Sequence, residues 1–532
     1  MSAILSTDAL NDFIAPSVAC IKPVESLPPP PSSTVLSVSR EDDPSNVAAA
    51  ENAAQISLTD CLACSGCITS SEAVLIQLQS HTEVLSSLER FPNRRFFAIL
   101  SLQTVAALAV AWNVTTTEAG LMVDHLFVSH LGFCAVIREE VFREMELHYA
   151  AAEVINALQQ GSRGSGKHPI LASSCPGFIC YLETTHPTLI PDLSKVKSPM
   201  AIGGMFLKAL HQKEETYIVG IQPCLDKKLE GARRELSSST WRPGDGGSTG
   251  NEPERDVDCV LTSREVLLIA SERNINPLEL PKTPLPTTPH ISDNDEINTF
   301  LTTPPSFRTR NRDFGTSGGL TSYILHRLYA LSPSSTITTT PGRNPDTITF
   351  TLTTPDSDSS SLSLARSYGF RNIQNLVRRL KPKPVRRLPG AATNPARLAS
   401  RRPGANAAEA LPVFVEVMAC PGGCTNGGGQ VKVEDIPSNG EGALSQKELL
   451  RVVDEAYFSG DDEARGEEMM EIDSPPAAEV GVEKVVDVWN QVTRVEVDKL
   501  VFTTFRQVEN DVGNKAGKDK GLEMASKEDG GW

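Results

Sequence analysis

The sequence predicts an α/β fold with its reactive residues at strand ends. Three observations carry that expectation. Short apolar or β-branched runs alternate with helical stretches, cysteines stand at or just beyond several of those runs, and polar low-complexity segments separate them. Open α/β sheets bind ligands outside the carboxyl ends of their strands, so the pattern places a site along one sheet edge.

Taken in order, residues 22–56 are rich in Pro, Ser and Ala and read as a linker with one short helix over 47–55. Residues 96–100 predict a buried strand, 104–112 a helix of small residues, and 126–136 a further strand. Over 140–159, Val141, Met145, Tyr149, Ala152 and Ile155 recur at helical spacing and predict one apolar stripe. The β-branched run 217–221 leads straight into Pro223-Cys224, and 257–261 and 413–417 repeat that arrangement. Segments 237–253, 282–305, 332–363, 388–410 and 434–476 are dominated by Ser, Thr, Pro, Gly and acids. Such compositions predict disordered surface insertions that bury no core.

Composition narrows the function classes. A chain of 532 residues accommodates two or three domains and a sizeable core. The formal charge of −16 argues against nucleic acid as a direct partner. Residues 366–402 carry eleven Lys or Arg and no acid, and are read as a solvated helix and loop rather than a nucleic-acid patch. The first fifteen residues lack a basic, apolar-cored leader, and the first arginine is Arg40, so neither a secretory signal nor an Arg-rich presequence is expected. The longest apolar stretch, 105–114, falls short of the roughly 18 residues a membrane helix needs, so no membrane partner is expected. Eleven cysteines spread along such a chain point to a reducing compartment, where clusters of thiols bind metal or do chemistry.

Two cysteine-rich motifs stand out. Cys61, Cys64 and Cys67 form C-x2-C-x2-C, a ferredoxin-type loop that supplies three of the four thiolates a cubane [4Fe-4S] cluster needs. Cys20, the one cysteine upstream, is the candidate fourth ligand. A zinc knuckle is the alternative for the same loop. Far downstream, Cys420 and Cys424 lie in Met-Ala-Cys-Pro-Gly-Gly-Cys-Thr-Asn-Gly-Gly-Gly-Gln, where Gly427, Gly428 and Gly429 allow backbone to approach a bulky inorganic group. Between them come Cys175 in Ser-Ser-Cys-Pro-Gly-Phe and Cys224 in Gln-Pro-Cys-Leu-Asp-Lys-Lys-Leu-Glu. Lys227 and Lys228 either offset the charge of a bound cluster or form an exposed basic turn. Cys134, Cys180 and Cys259 read as core residues. The G-x4-G-K of 161–167 is a decoy, because His168 replaces the Ser/Thr of a phosphate-binding loop and the preceding segment is helical.

The motifs of Cys175, of Cys224 and of the Cys420 and Cys424 pair, in that chain order, resemble those of the iron-only hydrogenase superfamily. The match is closest to the hydrogenase-like cytosolic iron–sulfur assembly factors, the prelamin-A-recognition-factor-like branch. Leu10-Asn11-Asp12-Phe13-Ile14 before Cys20, the Cys61 loop, and Gly369-Phe370-Arg371-Asn372-Ile373-Gln374-Asn375-Leu376-Val377 also look like that branch. The resemblance spans roughly residues 8–510. It implies an N-terminal [4Fe-4S] segment over 1–80, a two-lobed hydrogenase-like core over 84–510, and a flexible tail over 514–532. It further implies a second [4Fe-4S] cluster held by Cys175, Cys224, Cys420 and Cys424. Four thiolates from three separate strand ends meet only inside a folded core, which agrees.

The function the resemblance implies is delivery of clusters to extramitochondrial apo iron–sulfur proteins, in the cytoplasm with the nucleus also open. True hydrogenases carry two adjacent cysteines in the first motif, one of them passing protons. Ser174 stands at that position here, Phe178 replaces a Trp, and Gln222 replaces a Met. A serine hydroxyl is a far weaker acid than a thiol near neutral pH, so the chain is expected not to be an enzyme. An active hydrogenase and a zinc-binding scaffold are the alternatives. Trp532 resembles the terminal aromatic by which assembly adaptors dock on the targeting complex and its WD40-type scaffold, although Gly531 departs from the usual preceding residue.

Overall fold

The structure is a computed structural model and describes residues 76, 78–161, 168–242, 253–302, 315–354, 361–381, 411–436, 445–459 and 479–508. Cys20, Cys61, Cys64, Cys67, the 47–55 helix, most of the 161–167 decoy and Trp532 lie outside them.

Two sheets organise the described residues. The first has the order β2-β1-β4-β5 and is parallel throughout: β1 (Arg95–Leu100), β2 (Ala135–Arg138), β4 (Thr216–Gln222) and β5 (Cys259–Thr262). The second has the order β3-β9-β8-β7-β6, built from β3 (Ile170–Ala172), β6 (Thr336–Pro341), β7 (Thr347–Thr353), β8 (Ser361–Tyr368) and β9 (Phe414–Met418). Its β3, β9 and β8 are parallel, and β7 and β6 extend it antiparallel.

Both faces of the first sheet are covered, as parallel strands require. Phe96, Ala98 and Leu100 of β1 pack with Tyr217, Val219 and Ile221 of β4 against the helix Leu102–Trp112. Phe97, Ile99 and Ile218 point the other way, onto the helices Glu139–Gln159 and Pro199–Leu210. Period-two alternation along each strand produces that division.

The helix Glu139–Gln159 ties the two sheets together. Its first turns place Val141, Phe142 and Met145 in the core under the first sheet. Its later turns place Leu147, Ala150, Ala151 and Val154 in the core under the second, beside the helix Leu320–Leu331. The expected single stripe is therefore corrected. Val141 and Met145 are buried, Tyr149, Ala152 and Ile155 are half-buried, and a second apolar face does the joining.

Other expectations also need amending. The strand expected over 126–136 starts only at Ala135, because His125–His130 closes as a π-helical turn. The range 332–363 includes the β6–β7 hairpin, whose Thr-Ile alternation is β-branched strand material rather than filler. The helix Asp295–Thr302 buries Ile297 and Leu301, and Gln446–Ser459 buries Leu449, Val453 and Tyr457. Trp241, in the segment 237–253, is buried in the same core as the helix Pro199–Leu210, so parts of four segments read as insertions contribute core. Among the described residues no helix is long and apolar enough to cross a membrane.

Candidate functional site

The carboxyl ends of β3, β4 and β9 bring four cysteines to one locus, with Cys175 and Cys420 buried and Cys224 and Cys424 half-buried. Cys175 caps the helix Pro176–Thr185 just after β3, with Pro176 at the first helical position. Its N–H donates to Ser173 Oγ at 3.1 Å, and that hydroxyl donates to the Val417 carbonyl of β9 at 2.5 Å. Cys224 follows β4 and precedes the short helix Asp226–Gly231. Cys420 follows β9, and Cys424 opens the 3-10 turn Cys424–Asn426.

Each thiol lies within electrostatic reach of others in the set. Burial pushes the Cys175 thiol up to about 12, with the Asp226 carboxylate and Cys424 adding to the effect. Cys224 and Cys420 are likewise held well above the ordinary thiol range by burial, Asp226 and the neighbouring cysteines. Burial also raises Cys424, but there the Ser317 hydroxyl, Arg143 and Lys227 pull in the opposite direction. Four thiols gathered at one locus, Cys175 and Cys420 buried and Cys224 and Cys424 half-buried, resist ionisation unless a cationic centre takes the place of their protons. Their chemistry therefore fits an iron–sulfur cluster.

The glycine run makes room for this locus by packing backbone on backbone. A Cβ on Gly427 would lie 2.3 Å from the Pro223 carbonyl oxygen and 3.2 Å from Cys224 Cβ. The Gly429 N–H donates to that same carbonyl at 3.0 Å. Gly423, at φ 111°, adopts a conformation that favours glycine, and a Cβ there would stand 2.1 Å from Thr316 Oγ1. These glycines clamp the Cys420–Cys424 loop to the Cys224 loop and to residues 315–319.

Lys227 and Lys228, the candidate basic turn, are both buried and have different duties. Lys227 pairs with Glu230 at 2.6 Å and feels the Cys224 thiol. Lys228 turns away, donating to Glu265 at 2.8 Å and to the Gln79 carbonyl. Gln79 in turn donates to the Lys228 carbonyl at 2.8 Å and accepts from Val260 N at 3.2 Å. Lys228 thus fixes the segment entering from the N-terminal side, and only Lys227 belongs to the cysteine locus. The other described thiols stand apart from the set: Cys259 is buried in β5, and Cys134 and Cys180 are half-buried.

Sequence reading missed Arg143, Glu139, Glu146, Asp226 and Ser317. The Ser317 hydroxyl accepts the Cys424 N–H at 3.0 Å. A usable signal existed in the run Gly315-Thr-Ser-Gly318-Gly319, which directly precedes the helix Leu320–Leu331.

Residues 94–428 match the family described as "Iron only hydrogenase large subunit, C-terminal domain". The cytosolic Fe-S cluster assembly factor NAR1 of Botryotinia fuckeliana is 43% identical, with all of both chains covered. Its namesakes from Aspergillus oryzae and Sclerotinia sclerotiorum are 40% and 42% identical over the whole of both chains. The chain belongs to the hydrogenase-like cytosolic iron–sulfur assembly factors. An apo [FeFe]-hydrogenase from Chlamydomonas reinhardtii shares the fold of this assembly factor family member at a TM-score of 0.55 and 20% identity, covering 80% of this chain and 99% of that one.

Within this assembly factor the three departures from the hydrogenase motifs have definite surroundings. Ser174 Oγ donates to Glu146, a buried carboxylate raised by its desolvation. Gln222 donates to Glu139 at 3.3 Å. Phe178 is an ordinary core residue.

Proposed function

We propose that this chain is a non-catalytic component of the cytosolic iron–sulfur protein assembly machinery. It binds two [4Fe-4S] clusters and helps deliver clusters to extramitochondrial apoproteins. Cys175, Cys224, Cys420 and Cys424 hold the buried cluster, and Cys20, Cys61, Cys64 and Cys67 hold the N-terminal one. The observation that carries the reading is the convergence of four thiols from three strand ends while Ser174 stands where a proton-passing thiol is needed. The whole-length similarity to proteins named as cytosolic assembly factors supports the same role.

A bound [4Fe-4S] cluster supplies a cationic iron core and a one-electron couple. This chain's own residues contribute the rest. The glycine clamp brings two cysteine loops within reach of one another. Lys227 offsets negative charge, and Ser317 and the backbone N–H groups of Ala419 and Phe178 bond toward sulfur. Trp532 docks on the targeting complex through its indole.

Hydrogenase turnover is disfavoured by Ser174. Anaerobic purification, followed by an assay for H2 evolution with a strong reductant, tests the non-catalytic assignment. No turnover is expected, even after incubation with hydrogenase maturation factors, and rates like those of true hydrogenases would overturn it.

A further inference from the structure

Arg143 belongs to no sequence motif, yet it is buried beside the cysteine locus. Its Nη1 donates to Glu146 Oε2 at 2.6 Å, and its Nη2 lies 3.9 Å from Glu139 Oε2. All three residues come from the first two turns of the helix Glu139–Gln159. The guanidinium also lies against the backbone of Gly318. A Cβ there would stand 2.5 Å from Nη1 and 2.6 Å from Cζ, so only glycine admits the arginine to this position. The preceding residue, Ser317, binds the Cys424 N–H at 3.0 Å. From the other end of the same network, Glu146 accepts from Ser174, the neighbour of Cys175.

One cation is thus fixed between two cysteine turns by two carboxylates of its own helix. As a stability device the arrangement is weak, since buried ion pairs are often replaceable by apolar residues of similar volume. Its guanidinium lies against Gly318, next to the Ser317 hydroxyl that holds the Cys424 N–H, which brings its charge to the edge of the locus. In a low-dielectric interior that influence carries much further than in water.

We propose that Arg143 sets the reduction potential of the cluster held by Cys175, Cys224, Cys420 and Cys424, with Glu139 and Glu146 as its positioning residues. The inference rests on the reading that these four cysteines hold a [4Fe-4S] cluster. Adding one electron from an external donor makes the thiolate-bound centre more negative by one charge. A nearby cation stabilises that reduced form more than the oxidised one and raises the potential, and a nearby carboxylate lowers it.

The test is an anaerobic redox titration with dithionite, followed by electron paramagnetic resonance, in a Cys64→Ser background that leaves the buried cluster alone. Iron is counted on every sample. Arg143→Gln is expected to lower the midpoint by about 59 mV, a tenfold change in the reduced-to-oxidised ratio at fixed potential. Arg143→Lys keeps the charge and is expected to stay close to the parent. Glu146→Gln is expected to shift the midpoint upward. A purely structural role predicts no such opposition of sign. Intact iron with unshifted midpoints, or with both glutamine variants shifted the same way, overturns the proposal. Should Arg143→Gln fail to fold, an upward shift in Glu146→Gln with an unmoved Arg143→Lys supports it, and any other pattern in that pair overturns it. A parent protein without iron overturns the cluster reading itself, and that is known before the titration begins.

Discussion

Gly427 sits against Pro223 so closely that a Cβ would come within 2.3 Å of the proline carbonyl oxygen. That approach holds two of the three cysteine-bearing loops together. Gly427→Ala must therefore push the Cys224 and Cys424 loops apart, at about 1–3 kcal/mol for overpacking. The control is Gly132→Ala, at φ 80° with nothing within 4 Å, which carries only the left-handed strain of about 1–2 kcal/mol. Thermal melts and iron counts together separate the two. Gly427→Ala is expected to lose iron from the buried site and Gly132→Ala to keep it.

Lys228 supports a different part of the molecule from Lys227. Replacing Lys228 with Met strands the buried Glu265 carboxylate, at about 3–5 kcal/mol for breaking a buried pair. It also frees Gln79 from one of its partners. Denaturant unfolding is expected to show that loss, and adding Glu265→Gln to recover part of it. Equal melting of the Lys228→Met variant and the parent would contradict the assignment.

The four cysteines, the strands β4 and β9 and the family were legible in the sequence, because each cluster motif is local in the chain, whereas β3, only three residues long, gave no readable run before Cys175. Arg143 was not legible, since its partners Glu139 and Glu146 read as the ordinary charges of an amphipathic helix. The β6–β7 hairpin was missed because threonine counts as polar in composition but as β-branched in a strand. Helices Asp295–Thr302 and Gln446–Ser459 were hidden because two or three buried side chains per helix suffice to anchor them to a core built elsewhere. Separating Lys227 from Lys228 required knowing where Gln79 and Glu265 come to rest.

Acid stability should report on His211. Its ring is buried and stacks on Phe97 at 5.1 Å, with Arg95 Nη1 3.2 Å from Nδ1. Burial first, and then the Arg95 charge, depress its pKa from 6.5 to about 4. The unfolded chain therefore binds this proton between about pH 6.5 and 4 while the folded chain does not. Stability from this residue is present above pH 6.5 and declines by roughly 3 kcal/mol as pH falls to about 4. Comparing pH-dependent unfolding of His211→Phe with the parent is expected to show a flatter profile in that window. Parallel profiles would contradict the depressed pKa.

Trp532 is proposed to anchor the chain to its targeting complex. Deleting it is expected to weaken that binding by about 2 kcal/mol, the scale of an aromatic hot spot, and to leave both clusters in place. Calorimetric titration of intact and truncated chains is the direct comparison, and equal affinities would remove the role.

The central claim is that two cubanes are held by two separate sets of four cysteines. Iron and acid-labile sulfide counts on anaerobically purified protein test it most directly, on the parent and on Cys64→Ser and Cys424→Ser variants. The expected result is about eight irons and eight sulfides per parent chain. Cys64→Ser should fall to about half with the fold intact, and Cys424→Ser should lose iron and stability together. Zinc in place of iron, or a count that neither substitution lowers, would contradict the account.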